Sequence, residues 1–435
     1  MKHASATPAL LILAVPVVVE NVLGFLVGLA DVVLLGRLGA PALAGLGAAS
    51  SLFALTNAIG FALMTGGVVE VARAVGRDDR PAAAAAGGAV MLAFFLAGGA
   101  ILAIGYPLAD DLVGLMGLEP DVAAEGTAFF RCMAWVPLLT FFTPAGRVIL
   151  LGHGRTRRTL LLSLVQHGLH LALLPVLILH LELGAAGVAL AFLISGFVAG
   201  LLGLHLLRIE GLAVHAALDD RTRRALAEIW RIGAPSAGEI LLYLASQSMV
   251  MRLTALLGTS VVAARVLISR LFTLSVAVQA ALGQASLIHT GQESERSGRF
   301  GAWRGAEAAL RIAVGAALFT AVVFMVLPGA FIAELSTDGI AVAWTILLLP
   351  LAILQLLPQA VNIVVGGALR GAGSTRWMLM TQAVGLVIVT ACSWLFAFPL
   401  GLGLLGIFFG VAADEYLRAL WNHRRLRHRL EAATP

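Results

Sequence analysis

Glu20 and Asp31 stand as isolated acids in a stretch that is otherwise almost wholly apolar, from Ala9 to Leu35. Their spacing is close to three turns of an α-helix, so on a helix the two carboxylates face nearly the same way. Glu20 falls about a third of the way along and Asp31 near the far end. A carboxyl in apolar surroundings ionises reluctantly, which suits it to carrying a proton near neutral pH. Ionised, it offers the hard oxygen that a sodium ion prefers, so Asp31 is also a candidate Na+ ligand. The competing reading for each is a carboxyl paired with an arginine or capping a broken helix. A third acid, Glu239, follows Pro235 at the same interval at which Glu20 follows Pro16. The shared spacing predicts a shared role beside the carbonyls that a proline leaves unpaired.

Other polar residues interrupt apolar runs. Gln166, His167 and His170 do so in one, and Gln355, Gln359 and Asn362 in another. Facing lipid would be unfavourable, so they are expected to point inward as candidate cavity residues. His170 either titrates near neutrality or is a hydrogen-bonded packing residue. Arg252 is the deepest basic side chain and is expected to balance Glu239 or an acid across the cavity. Arg131, Arg147, Arg265, Arg270, Arg311, Glu70, Glu125, Glu307, Asp414 and Glu415 fall mostly near segment ends, where snorkelling or an inter-helix pair accounts for them. Met249, Met251 and Met380 read as a plastic apolar wall or as core filling. Asp110-Asp111 reads as a solvated loop. Cys132 and Cys392 are isolated, so neither a disulfide framework nor metal-ligand spacing is visible. There is no His-Glu-x2-His, no Gly-x-Ser-x-Gly and no phosphate-binding loop, so no cofactor or enzyme chemistry is expected.

The elements that must hold these residues follow from composition. Of 435 residues 60% are hydrophobic and 12% charged, with mean hydropathy +0.96. Soluble domains carry about 25% charge. A cytosolic enzyme, a secreted disulfide scaffold and a disordered regulator are excluded, and a multi-pass protein of the lipid bilayer remains. About 20 apolar residues cross a bilayer. Twelve such stretches lie near 9–35, 43–72, 83–106, 123–150, 159–180, 185–207, 230–257, 261–289, 303–327, 341–369, 376–398 and 403–421. The first follows a basic start (Lys2, His3), and its hydrophobicity continues to Leu35, so it reads as a membrane helix rather than a removable signal peptide.

Charge orders these spans. With both termini in the cytoplasm, 22 basic residues fall in inner loops and only Arg37 in an outer one. The inner set includes Lys2, Arg73, Arg77, Arg80, Arg155, Arg157, Arg158, Arg370, Arg376, Arg418 and Arg424. The outer loops carry Asp110, Asp111, Glu119, Asp121, Glu182, Glu334 and Asp338 instead. This is the positive-inside pattern of a prokaryotic cytoplasmic membrane protein. It accounts for the basic balance (29 Lys+Arg against 24 Asp+Glu) without nucleic acid as a partner.

A polar stretch near the middle suggests a duplication, and sliding the chain along itself until Pro16 meets Pro235 reveals one. In that register Pro16-x3-Glu20 falls on Pro235-x3-Glu239, Leu38-Gly39 on Leu257-Gly258, and Ala44 on Ala263. Across 16–63 there are 14 identities in 48 ungapped positions. Far downstream, in the same register, Gly152-His153-Gly154-Arg155-Thr156-Arg157 falls on Gly371-Ala372-Gly373-Ser374-Thr375-Arg376. The expected organisation is an N-lobe over 1–207, a mobile cytoplasmic linker over 208–229 and a C-lobe over 230–435. The fold class is all-α, twelve transmembrane helices in two six-helix lobes related by a pseudo-two-fold along the membrane normal. Such duplications belong to secondary transporters working by alternating access.

Pro16-x3-Glu20, Asp31-x4-Gly36-Arg37-Leu38-Gly39, Ala42-x-Ala44, Gly76 and Gly184-x2-Gly187 resemble the MATE family of multidrug and toxic compound extrusion transporters. Gly233-x-Pro235, Ala263-Ala264, Gly291-Gln292 and Leu369-Arg370-Gly371-Ala372-Gly373-Ser374-Thr375 extend the resemblance through the second half. It implies export of amphipathic, often cationic organic compounds coupled to H+ or Na+, with Asp31 matching the first-helix aspartate of the N-lobe coupling site. The chain is expected to work as a monomer. Two departures stand out. Where many prokaryotic members carry Asn-x3-Asp on the fifth helix, this chain has His170 and Leu174. Where others carry acids in the C-lobe, it has Tyr243 and Gln359. The alternatives are a lipid-linked oligosaccharide or lipid flippase of the same superfamily and, from another class, a membrane-embedded enzyme.

Overall fold

The computed structural model describes residues 6–36, 40–215, 217–326 and 339–430, without the side chains of 6, 40–46, 48–55, 274 and 430. Lys2, Arg37, Leu38-Gly39, Glu334 and Asp338 lie outside this set, as do the side chains of Ala42 and Ala44. Among the described residues all regular structure is helical. The first half contains α1 (Ala6–Gly36), α2 (Ala40–Gly76), α3 (Arg80–Gly105), α4 (Ala109–Gly114), α5 (Pro120–Leu139), α6 (Phe142–Gly152), α7 (Thr156–Pro175) and α8 (Gly184–Ile209). The second contains α9 (Asp220–Ala255), α10 (Thr259–Arg296), α11 (Gly298–Met325), α12 (Gly339–Leu354), α13 (Leu356–Gly371), α14 (Thr375–Ala397) and α15 (Gly403–Leu430).

These helices accommodate all twelve expected spans. Eight are long and apolar enough to cross a membrane alone, and α10 and the α12–α13 pair bring the number to ten, bent by 47° and 45°. The other two are α9, diluted by Ser246, Gln247 and Ser248, and α15, which carries Asp414, Glu415 and Arg418 within its apolar part. The fourth span is broken as well: Pro137 lies in the last turn of α5, and Thr140 Oγ1 donates to the Val136 carbonyl at 2.7 Å before α6 begins. A proline removes a backbone donor, and at the break the Val136 carbonyl accepts from both the N–H and the hydroxyl of Thr140. The fifth span ends in a π-helical turn, Val176–His180, directly after Pro175.

Packing divides the chain into two compact units, Val15–Ala237 and Gly238–Pro435, the latter taking in Met1–Ala14. Both divisions fall inside helices, beside Pro16 in α1 and Pro235 in α9, rather than in the polar stretch. In the first unit α8 packs on α5 and α7, and α5 on α2 and α3. In the second, α14 lies along α15 and α10 along α11 and α13.

The polar stretch departs from the mobile linker expected over 208–229. Only about its middle is non-helical, since α8 runs to Ile209 and α9 starts at Asp220. Asp219 caps α9 by accepting from the Thr222 N–H at 2.8 Å, which holds its exposed carboxyl below the usual carboxylate range. That cap is present above the ordinary aspartate pKa and is lost as the pH falls through the lowered one. The stretch is also docked: the His215 N–H donates to the Ala84 carbonyl of α3 at 3.0 Å. A Cβ added to Gly88 would lie 1.9 Å from the His215 carbonyl oxygen, so only glycine permits the approach. The start of α9 continues the contact, because a Cβ at Gly66 of α2 would lie 2.1 Å from the Ile229 carbonyl oxygen. Gly88→Val is therefore expected to detach His215 from α3 and forfeit about 1 kcal/mol of hydrogen bonding. Limited proteolysis should then cut this stretch faster than in the wild type; unchanged cutting would contradict the docked arrangement.

Candidate functional site

The first-span aspartate meets the fifth span. Asp31 on α1 is 6% exposed and His170 on α7 is 1% exposed, and His170 Nε2 lies 2.8 Å from Asp31 Oδ1. One turn farther along each helix, Leu35 and Leu174 belong to a buried apolar cluster with Phe129 and Ile178. The ring of Phe192 on α8 lies against the imidazole, 4.2 Å between centroids, and fixes its plane. His170 Nδ1 is buried and makes no hydrogen bond. With Nε2–H donating to the carboxylate, Nδ1 is a bare acceptor, so the pair can take up a proton without breaking its link. His167, one turn earlier on α7, also has a buried Nδ1 without a hydrogen bond.

Glu20 is not part of this pair. Its Oε2 accepts from Arg147 Nη1 at 3.0 Å and its Oε1 from Thr159 Oγ1 at 2.5 Å. Arg147 Nη2 in turn donates to Ser163 Oγ at 2.7 Å. Glu20 thus follows the arginine-paired reading and joins α1, α6 and α7 as a strut within the first unit.

Glu239 repeats the theme with different partners. It accepts from Arg370 Nε at 3.2 Å and Arg370 Nη2 at 2.5 Å, a two-point clamp between α9 and α13. Arg252, expected to balance Glu239, is more than three turns farther along the same helix and exposed, so it does not meet it. A guanidinium satisfies the Glu239 carboxylate. The residue of the second half equivalent to Arg147 is Gly366, and a Cβ there would stand 3.3 Å from Arg370 Nη1. The missing side chain makes room for a guanidinium delivered from one turn later.

The remaining candidates scatter. Gln166 and Gln359 are half-buried, and Tyr243 is exposed and accepts from Gln247 Nε2 at 3.0 Å. Asn362 is buried and donates to Glu415 on α15. Asp414 and Arg418, read from sequence as segment-end or loop charges, are instead buried together with Asn362, Gln382 and Asn422, with Glu415 half-buried beside them. Arg370, counted with the inner loops, is likewise paired within the second unit. Among the described residues no group of three or more His, Cys, Asp or Glu side chains is placed to hold a metal ion. The first unit also contains a mainly apolar cavity of about 400 Å³. Phe61, Met64, Phe94, Asn57 and Arg147 line it; none of the residues proposed for a cavity does, because an apolar run gives no sign of which face is open.

An all-α membrane chain in two repeated halves, each opening on a proline-bearing span with a buried acid, is a secondary transporter in fold. The MatE family model matches residues 16–176 and again 235–395, two stretches that open on Pro16 and Pro235, in the register of the internal repeat. The chain belongs to the MATE family. It is 25% identical to the uncharacterized transporter YisQ of Bacillus subtilis, over 99% of this chain and 96% of that one. It is 27% identical to a probable multidrug resistance protein NorM of Rhizobium meliloti, over 98% and 94%. Among solved structures, a MOP superfamily transporter from Pyrococcus furiosus superposes with TM-score 0.91 at 22% identity, over 99% and 97%. The outward-facing conformation of a multidrug resistance MATE family transporter does so with TM-score 0.92 at 21% identity, over 98% and 97%.

Proposed function

We propose that this transporter exports amphipathic, often cationic organic compounds in exchange for protons, and that Asp31 and His170 carry the proton. The buried 2.8 Å contact between them is the observation that carries this reading. The substrate class rests on likeness to the NorM relatives. The choice of ion rests on the donor set. A sodium ion prefers several hard oxygens, whereas Asp31 Oδ1 faces an imidazole nitrogen and Leu174 stands where an acid would complete the site. An imidazole beside a carboxylate offers a nitrogen that can accept a proton rather than a shell of oxygens for a metal ion.

Coupling requires the proton and the substrate to favour different arrangements of the helices. Uptake at the pair removes the negative charge of Asp31 or places a positive one on His170, and either alters the attraction between α1 and α7. Both termini lie on the inner side of the cytoplasmic membrane, as the loop charges favour, and the proposed working unit is a monomer. The test is efflux of a cationic dye from proteoliposomes with proton and sodium gradients imposed separately. Dye is expected to move on the proton gradient alone. Movement driven by sodium alone would refute the choice of ion, and no movement under either gradient would refute the exporter reading.

A further inference from the structure

The second unit buries a charge imbalance that the Asp31–His170 pair does not use. Asp414 and Glu415 on α15 share one guanidinium, that of Arg418 one turn on. Arg418 Nε donates to Asp414 Oδ1 at 2.9 Å, and Nη2 lies 2.8 Å from Asp414 Oδ2 and 2.7 Å from Glu415 Oε1. Its Nη1 donates to Gln382 Oε1 of α14 at 2.9 Å. Asp414 and Arg418 are 4% and 9% exposed. Gly385 of α14 is what lets them close up, since a Cβ there would stand 2.5 Å from Asp414 Oδ1. Glu239, clamped by Arg370, is within electrostatic range of Arg418. Among these described groups, three carboxylates face two guanidiniums. From α11, Glu307 and Arg311 face His423 and Arg427, more than two turns along α15, and α12 carries no charged residue.

A buried excess negative charge is costly, and taking up a proton is the usual relief. The hydrogen-bond directions decide which acid takes it. Trp377 Nε1 donates to Asn422 Oδ1 at 3.1 Å, Asn422 Nδ2 to Asn362 Oδ1 at 3.1 Å, and Asn362 Nδ2 to Glu415 Oε2 at 2.6 Å. Every donor in this chain points toward Glu415. An indole N–H can only donate, so the chain cannot reverse. Protonating Glu415 at Oε2 would set two donors against each other, while Oε1 already receives Arg418. Asp414 has no such chain behind it: its oxygens meet Arg418 alone, and a proton on Oδ2 opposes only the Nη2 donor, which keeps Glu415 Oε1 as its acceptor.

We infer that Asp414 is a second proton-carrying residue of this transporter, lodged in the C-terminal unit and separate from the Asp31–His170 pair. It deepens the proton-coupled reading, but its test needs no transport. Full-length Asp31→Asn protein in lipid vesicles is examined by infrared difference spectroscopy between about pH 6 and pH 8, where exposed carboxylates, with pKa values near 4, stay ionised. A C=O band of a protonated carboxylic acid is expected to persist without Asp31. It should shift in protein grown with 13C-carboxyl aspartate and vanish in Asp31→Asn/Asp414→Asn. Absence of the band, its survival in the double variant, or insensitivity to the aspartate label would each overturn the assignment. The label decides even if the double variant does not fold. Failure of the Asp31 reading shows separately, as dye efflux that survives Asp31→Asn.

Discussion

Asp31→Asn is expected to abolish proton-driven dye efflux while leaving the folded protein intact. Asparagine keeps an oxygen that can accept from His170 Nε2, so the 2.8 Å contact between α1 and α7 survives. The carboxyl that exchanges a proton does not. The loss should therefore appear in gradient-driven transport and not in melting temperature or yield. Measured with equal amounts of protein in proteoliposomes, wild-type efflux in Asp31→Asn would sink the mechanism. His170→Asn makes the companion test. An amide still donates to Asp31 but cannot take up a proton, so efflux should continue with a weaker dependence on pH than in the wild type. A profile unchanged from wild type would assign the proton to Asp31 alone.

Arg147→Met should have the largest effect on stability. It leaves Glu20, 7% exposed, without the guanidinium that neutralises it. Removing one partner of a buried pair costs about 3–5 kcal/mol, because the remaining charge stays buried. The expectation is a sharp fall in melting temperature and in folded yield. Glu20→Gln in the Arg147→Met background should recover most of the loss, since nothing charged is then stranded and Thr159 can still bond to the amide. If the double variant is no better than the single, Glu20 is not the residue that Arg147 serves. Transport in the rescued protein separates strut from coupling residue: it should persist, because Glu20 belongs to a different cluster from Asp31.

The architecture is largely legible in the sequence, because apolar length, loop charge and the internal repeat are properties of the chain itself. Asp31 was legible too, as a charge where charge is costly, and His170 through its position on the fifth helix. The partnerships were not. Glu20 and Arg147 are 127 residues apart, and Glu239 and Arg370 are 131 apart. In helices that are apolar on nearly every side, the period that would tell inner from outer face is weak. Arg370 and Arg418 show the same limit from the other direction. Both lie near the ends of apolar runs and read as loop charges, yet α15 continues about three turns past Arg418, and Arg370, in the last turn of α13, reaches back to Glu239. A charge count sees where a run ends; it does not see where a helix does.

The docked polar stretch and the proline-bearing α9 also bear on how motion would pass along the chain. A floppy tether behaves like a rope, which limits distance but transmits no torque. Here His215 is fastened to α3, and the backbone crosses from one unit to the next inside α9, between Ala237 and Gly238. A helix missing the hydrogen bond that Pro235 cannot donate is a leaf spring, compliant in bending at one point and stiff in twist elsewhere. Rotation at one end of α9 would be felt at the other.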